Sequence, residues 1–309
     1  MASILIKISG YLLIILLGAI LRRIGFFKKE LARTIGVLVV TVTLPASLIR
    51  NSPSIVIGSE LPKLFLFAIF ASSLTLFGGY LLAKRKREPK TAALMLSTST
   101  FNVGAFLLPF VELFYPGAGV GYLCMFDSGN SIMGLGISYA LAKSASNPKA
   151  SLTFGSILKT LLDSVPFMTY VVLFVLAFLQ IRLPDFILEY AGMIGNANAF
   201  LTMFMIGLMI ELKLPKAEIR EIGKVIALRY ALIVLLIGIL MILPSMDPFV
   251  KLIAALCLFA PVATASVVYA MECGYQGELV SMVSTLTMFI SIAAIILIIL
   301  GFGQSYITI

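Results

Sequence analysis

The 309-residue chain is 61% hydrophobic and 12% charged, where soluble domains run near about 45–50% apolar and about 25% charged. That excess excludes a soluble globular fold. The net charge of +9, from 23 Lys and Arg against 14 Asp and Glu, would suggest nucleic acid in a soluble chain, so where the charge sits has to decide.

Apolar runs fall at about 3–21, 34–50, 63–83, 91–111, 118–142, 165–180, 186–210, 225–243, 249–271 and 279–300, long enough for ten transmembrane helices. The first is no signal peptide, because Arg22 and Arg23 follow the apolar stretch and no small-residue cleavage site stands there. Period-2 alternation is missing, which argues against barrel strands.

Arg22, Arg23, Lys28, Lys29 and Arg33 occupy the first connection; Lys84, Arg85, Lys86, Arg87 and Lys90 the third. Lys143, Lys149 and Lys159 follow in the fifth, and Lys213, Lys216, Arg220 and Lys224 in the seventh. Alternate connections thus carry 17 of the 23 basic residues, and the positive-inside rule places them in the cytoplasm with both termini outside. The basic charge orients a multi-pass protein of the inner membrane and implies no nucleic acid.

The longest connection, 143–164, divides spans 1–5 (residues 1–142) from spans 6–10 (165–309), and its stretch 151–162 is amphipathic enough for a surface helix. An odd number of spans on each side makes the second half enter the membrane in the opposite sense, as an inverted repeat requires. Helix breakers recur at matching places. Span 4 carries Asn102, Gly104 and Pro109, and span 9, five later, carries Pro261; span 2 has Pro45, and span 7 has Gly195, Asn196 and Asn198. Interrupted helices in corresponding positions are the best pointer to a transport site, with a simple kink as the alternative.

Asp127 and Asn130 share a face of span 5 at i and i+3. An ionisable residue inside a span is a functional candidate by default. Asp127 has two roles open to it: binding a coupling cation or proton, or accepting hydrogen bonds from freed amides of span 4. Asn130 can satisfy unwound backbone or substrate. Thr98 and Ser99 precede Asn102, while Thr264 and Ser266 follow Pro261. Lys7, Arg229 and Lys251 lie near predicted span ends, where they can snorkel; Glu112, Asp185 and Asp247 belong to loop margins. Cys124, Cys257 and Cys273 stand in apolar context without CxxC spacing, which implies buried free thiols and no metal site. With no His in the chain, intramembrane enzyme chemistry lacks its usual partners. A channel, which would need a continuous polar or carbonyl-lined path, has no filter-like repeat here and stays a further alternative to a carrier.

The segment RRIGFFKKELARTIGVLVVTVTLPASLIR resembles the opening helix pair of the auxin efflux carrier family, which includes bacterial transporters. Span 4, with Asn102 and Pro109, resembles that family's Asn-containing crossover helix. APVATASVVYAMECGYQGELVSMVSTLTMF is similar to its second crossover, and Asp127 with Asn130 fits its fifth helix. The resemblance implies an all-α fold of two five-helix inverted repeats, related to bile acid and sodium/proton exchanger folds, in which broken helices 4 and 9 cross. It implies secondary transport of a small organic anion such as a dicarboxylate or auxin. The large cytoplasmic loop of long plant carriers is absent, and Ser266 stands where plant members place a second proline. The expected site comprises Asn102, Pro109, Pro261, Thr264, Ser266 and Asn130, with Asp127 coupling or bracing. No cofactor or metal is expected; sodium or proton coupling is an open alternative. The expected partners are the bilayer and the anion, with a second copy of the chain also open.

Overall fold

The computed structural model describes residues 2–55, 57–84, 86–147, 154–210, 217–243 and 246–307, and every regular element among them is helical. In chain order these are α1 (Ala2–Arg23), α2 (Lys29–Leu38), α3 (Leu44–Asn51), α4 (Glu60–Leu82), α5 (Pro89–Ser99), α6 (Leu108–Phe114), α7 (Ala118–Ser131) and α8 (Tyr139–Ser146). There follow α9 (Phe154–Leu162), α10 (Val165–Phe178), α11 (Asp185–Gly195), α12 (Ala197–Met209), α13 (Ile219–Ile242), α14 (Pro248–Leu258), α15 (Ala265–Glu272) and α16 (Leu279–Gly301). Among the described residues six helices, some built from consecutive elements, are long and apolar enough to cross a membrane, or eight if each of two bent pairs is one span. Large apolar side chains face outward, Ile6 at 70% and Leu297 at 68% exposure among them. Water would make such a surface a liability, whereas hydrocarbon makes it the natural exterior.

Helix starts follow local chemistry. Asp247 caps α14 by accepting from Phe249 N at 2.8 Å, and Ser164 caps α10 by accepting from Phe167 N at 3.4 Å. In each case a proline within the first helical turn has no N–H to leave unsatisfied. Lipid provides little hydrophobic drive between helices, so close approach of small residues does the packing. In the α1–α12 seam, a Cβ on Gly18 would meet Phe204 O at 2.5 Å and one on Gly207 would meet Ile15 O at 2.1 Å. Arg22 closes the same seam by donating to Leu208 O and Ile210 O at 2.8 and 2.9 Å, capping the end of α12.

Two expected interruptions take another form. Pro45 and Pro109 each follow a π-helical turn, Val39–Thr43 and Val103–Leu107, that ends two residues before the proline. A proline leaves one carbonyl unpaired and crowds the preceding turn; the wider turn absorbs both, so neither proline itself breaks its helix. Asn196 keeps helical φ and ψ of −59° and −27°, and Asp185–Met209 is one candidate span, so Asn196 and Asn198 do not break it either. Within the stretch 151–162 a helix is observed, α9, turned 81° from α10 with Phe154 and Leu162 exposed; residues 151–153 lie outside the described ones, as do Arg85, Lys149, Lys213 and Lys216. The three cysteines are free and buried.

Candidate functional site

Two apolar stretches, predicted spans 4 and 9, leave helical geometry partway along, and the two breaks meet. After α5, Thr100 is extended at φ −113° and ψ 151°, and Asn102 at φ −82° and ψ 67° precedes the next helical turn. The halves on either side, Pro89–Ser99 and Val103–Phe114, are bent by 48°. After α14, residues Pro261, Val262 and Ala263 are non-helical, and Thr264 leads into α15. Asn102 N donates to Pro261 O at 2.8 Å. The hydroxyls of Thr100 and Ser266 are 2.8 Å apart and hydrogen-bonded. Each break thus satisfies part of the other's freed backbone, the requirement that apolar surroundings impose.

Each break is also held by an i, i+3 pair from a later helix. On α7, Asn130 accepts from Phe101 N at 3.2 Å and donates to Phe101 O at 2.7 Å and to Asp127 Oδ1 at 2.8 Å. Asp127 Oδ2 accepts from Gly104 N at 3.1 Å and from the Tyr170 hydroxyl of α10 at 2.8 Å. A Cβ at residue 104 would stand 2.8 Å from that carboxylate oxygen and 2.9 Å from the Tyr170 hydroxyl, so glycine is what lets both reach the main chain. On α16, Thr287 Oγ1 accepts from Val262 N at 3.2 Å and Ser284 donates to Val262 O at 3.3 Å. Phe101 and Val262 are treated alike, both main-chain groups bonded by side chains of a following helix. Asn130 is committed at both ends of its amide, and Asp127 accepts three hydrogen bonds from protein groups.

Arg229, expected to snorkel, does not. It is fully buried, with Nη1 donating to Thr98 O at 2.7 Å and Nη2 to Ala260 O at 3.0 Å. Its guanidinium lies 4.6 Å from the Phe101 ring centroid, close enough for a cation–π contact. Its Nε makes no hydrogen bond, and no carboxylate pairs with it among the described residues. The correction has a physical cause: Thr98 lies in the last turn of α5 and Ala260 follows α14, so the cation lies at two half-helix C-termini, each equivalent to about half a negative charge. One guanidinium answers both. The N-terminal ends beyond the breaks carry the opposite charge; Asp127 sits against the first, whereas Ser284 and Thr287 bring only hydroxyls to the second break.

The Asn102 side chain and the Thr264 hydroxyl are both partly exposed and neither is hydrogen-bonded among the described residues; the Ser99 hydroxyl, unpaired like Arg229 Nε, is fully buried. Of the other expected site residues, Ser266 is buried and committed to Thr100, and Pro109 is buried with its carbonyl accepting from the Tyr11 hydroxyl at 3.0 Å. Asn198 accepts from Thr43 Oγ1 at 3.0 Å, and Asn196 accepts from Arg50, both between helices away from the breaks. Glu112 is no loop residue: it lies in α6 and accepts from Ser47 and, at 2.8 Å, from Asn51 of α3. Sequence reasoning missed Arg229, Tyr170, Ser284 and Thr287. The i, i+3 spacing shared by Ser284 and Thr287 with Asp127 and Asn130 was the available signal for the last two. The chain matches no protein-family model and no curated protein.

Proposed function

We propose that the protein is a secondary active transporter of a small organic anion, working by alternating access around the crossing of the two breaks. The observation that carries this reading is the shared main-chain bond from Asn102 N to Pro261 O, with the Asn102 amide and Thr264 hydroxyl unpaired beside it. Polar groups that the fold does not use, at a depth where polarity is costly, are what a ligand needs. Arg229 offsets the negative half-helix ends, and Asp127 the first positive one. The start of α15 therefore keeps its positive end for a carboxylate, oriented by Thr264 and Asn102.

In this reading there are ten spans in two inverted halves, 1–142 and 165–309 joined by 143–164, in the inner membrane with both termini outside. The matching treatment of Phe101 and Val262 supports the repeat, and so does the packing: α7 lies on α14 as α16 lies on α5, and α1 on α12 as α10 on α3. Asp127 is a brace, since its oxygens already accept from Gly104, Tyr170 and Asn130. The resemblance to the auxin efflux carrier family points the same way.

The test is uptake of labelled organic acids into proteoliposomes. Asn102→Ala and Thr264→Val remove groups without internal partners, so both are expected to leave stability within about 0.5 kcal/mol while lowering uptake at least tenfold. Pro261→Ala is expected to impair uptake as well, by altering the second break. Unaltered uptake in both Asn102→Ala and Thr264→Val sinks the site; current steps of a single channel sink alternating access.

A further inference from the structure

A cavity of about 520 Å³ lies between α4, α5, α8 and the stretch that joins α7 to α8, within the size range of small-molecule sites and lined by none of the crossover residues. Leu76, Met133 and Ile137 form an apolar wall. Phe77 and Leu141 also line it and are 54% and 44% exposed, so it opens sideways on the surface that faces the acyl chains. Both long walls change character in the same direction. Along α4, Ile69, Leu76 and Phe77, interrupted only by Ser73 with its hydroxyl turned onto Met133 Sδ at 3.8 Å, give way to Tyr80, with Arg87 beyond the helix end; along the other wall, Met133, Ile137 and Leu141 give way to Ser144. Arg87 is exposed and forms no hydrogen bond or ion pair among the described residues. Lys84 and Lys86 share its connection and Lys90 lies in the first turn of α5, against the single acid Glu88, which makes this end of the cavity net basic. An apolar trough with a lateral mouth and a cationic, hydroxyl-bearing end has the polarity profile of a phospholipid.

We propose that the cavity seats one acyl chain of an anionic phospholipid from the leaflet at the Arg87 end. The phosphate lies on the Arg87 guanidinium, and the Tyr80 and Ser144 hydroxyls donate to the headgroup. Tyrosine and arginine at the end of a helix sit where headgroups lie, and a basic connection favours a net negative lipid over a zwitterionic one.

Native mass spectrometry of the full chain, released from detergent holding equal phosphatidylglycerol and phosphatidylcholine, tests this. The protein is expected to retain phosphatidylglycerol about fivefold over phosphatidylcholine, the worth of one cation near a headgroup. Arg87→Gln, at an exposed loop position, is expected to lower that ratio at least twofold, with the neighbouring lysines keeping it above one. Ala145→Leu, which narrows the cavity, is expected to lower retention of both lipids. Glycerol 3-phosphate, which has no chain, and palmitate, which has no phosphate, are each expected to leave phospholipid retention unchanged. Equal retention of the two lipids, an unaltered ratio in Arg87→Gln, or unaltered retention in Ala145→Leu overturns the proposal. Displacement by glycerol 3-phosphate assigns the site to a free anion, and displacement by palmitate to a fatty acid, and either overturns the phospholipid.

Discussion

Replacing Arg229 with lysine is the sharpest test of how the two breaks are held. The guanidinium fork reaches Thr98 O at 2.7 Å and Ala260 O at 3.0 Å at once. An ammonium is a compact point charge on a shorter stem and reaches one of them. The substitution keeps the burial cost of a cation and loses one charge-assisted bond, about 1.5–3 kcal/mol. It also loses the flat face over Phe101. The local opening equilibrium should therefore rise between about tenfold and a hundredfold, at about 1.4 kcal/mol per decade. Cysteine labelling reads this directly. Cys257 lies in the last turn of α14, just ahead of the clamped Ala260 carbonyl, and is fully buried; Cys124 on α7 is buried too, whereas Cys273 follows α15 at its end. Peptide-resolved maleimide kinetics on Arg229→Lys are expected to show Cys257 accelerating by that factor, with Cys124 and Cys273 near their original rates. An unchanged Cys257 rate refutes the clamp. A uniform acceleration of all three thiols refutes its local character, because it reports global loosening.

Asp127→Asn turns an amide or leaves a donor facing the Gly104 N–H and Tyr170 hydroxyl, at a cost of about 1–3 kcal/mol, read as a lower thermal unfolding midpoint. If Asp127 braces, residual uptake keeps the wild-type response to sodium and pH; a variant that transports but has lost such a response refutes bracing. Gly104→Ala drives a methyl against the Asp127 carboxylate and the Tyr170 hydroxyl, an overpacking worth roughly 1–3 kcal/mol, and lowers the midpoint comparably. Burial, and next the hydrogen bond to the Glu218 carboxylate, push the Tyr275 phenol up from its ordinary value of 10.0. Its share of stability is present below that value and is lost as pH rises through the raised one. Tyr275→Phe should accordingly flatten the alkaline limb of the stability profile; an unchanged limb refutes the linkage.

What could be read ahead depended on whether the partners were side chains. The i, i+3 relation of Asp127 and Asn130 is a sequence pattern, and both residues do hold the first break. The breaks at Asn102 and Pro261 were readable because glycine, asparagine and proline mark backbone that leaves the helix. Pro45 and Pro109 carry the same mark yet end up in continuous helices, because a π turn can accommodate a proline with no signature of its own. Arg229 was hidden for a related reason: its partners are carbonyls, which every residue has, on two helices remote in sequence. Its place near the start of a span is that of a snorkelling residue, and only the packing around it shows that it is fully buried. Tyr170 is a lone tyrosine in an apolar run, and nothing near it in sequence marks its partner, Asp127, 43 residues earlier.

The hydrogen bond from Asn102 N to Pro261 O contains no side-chain atom. Substitution at residue 102 by anything but proline leaves its donor intact, and no substitution at 261 removes its acceptor. The crossing can therefore persist while the groups around it change identity. Ligand preference at this locus is accordingly open to redesign through Asn102 and Thr264, in variants that keep the frame on which the ligand rests.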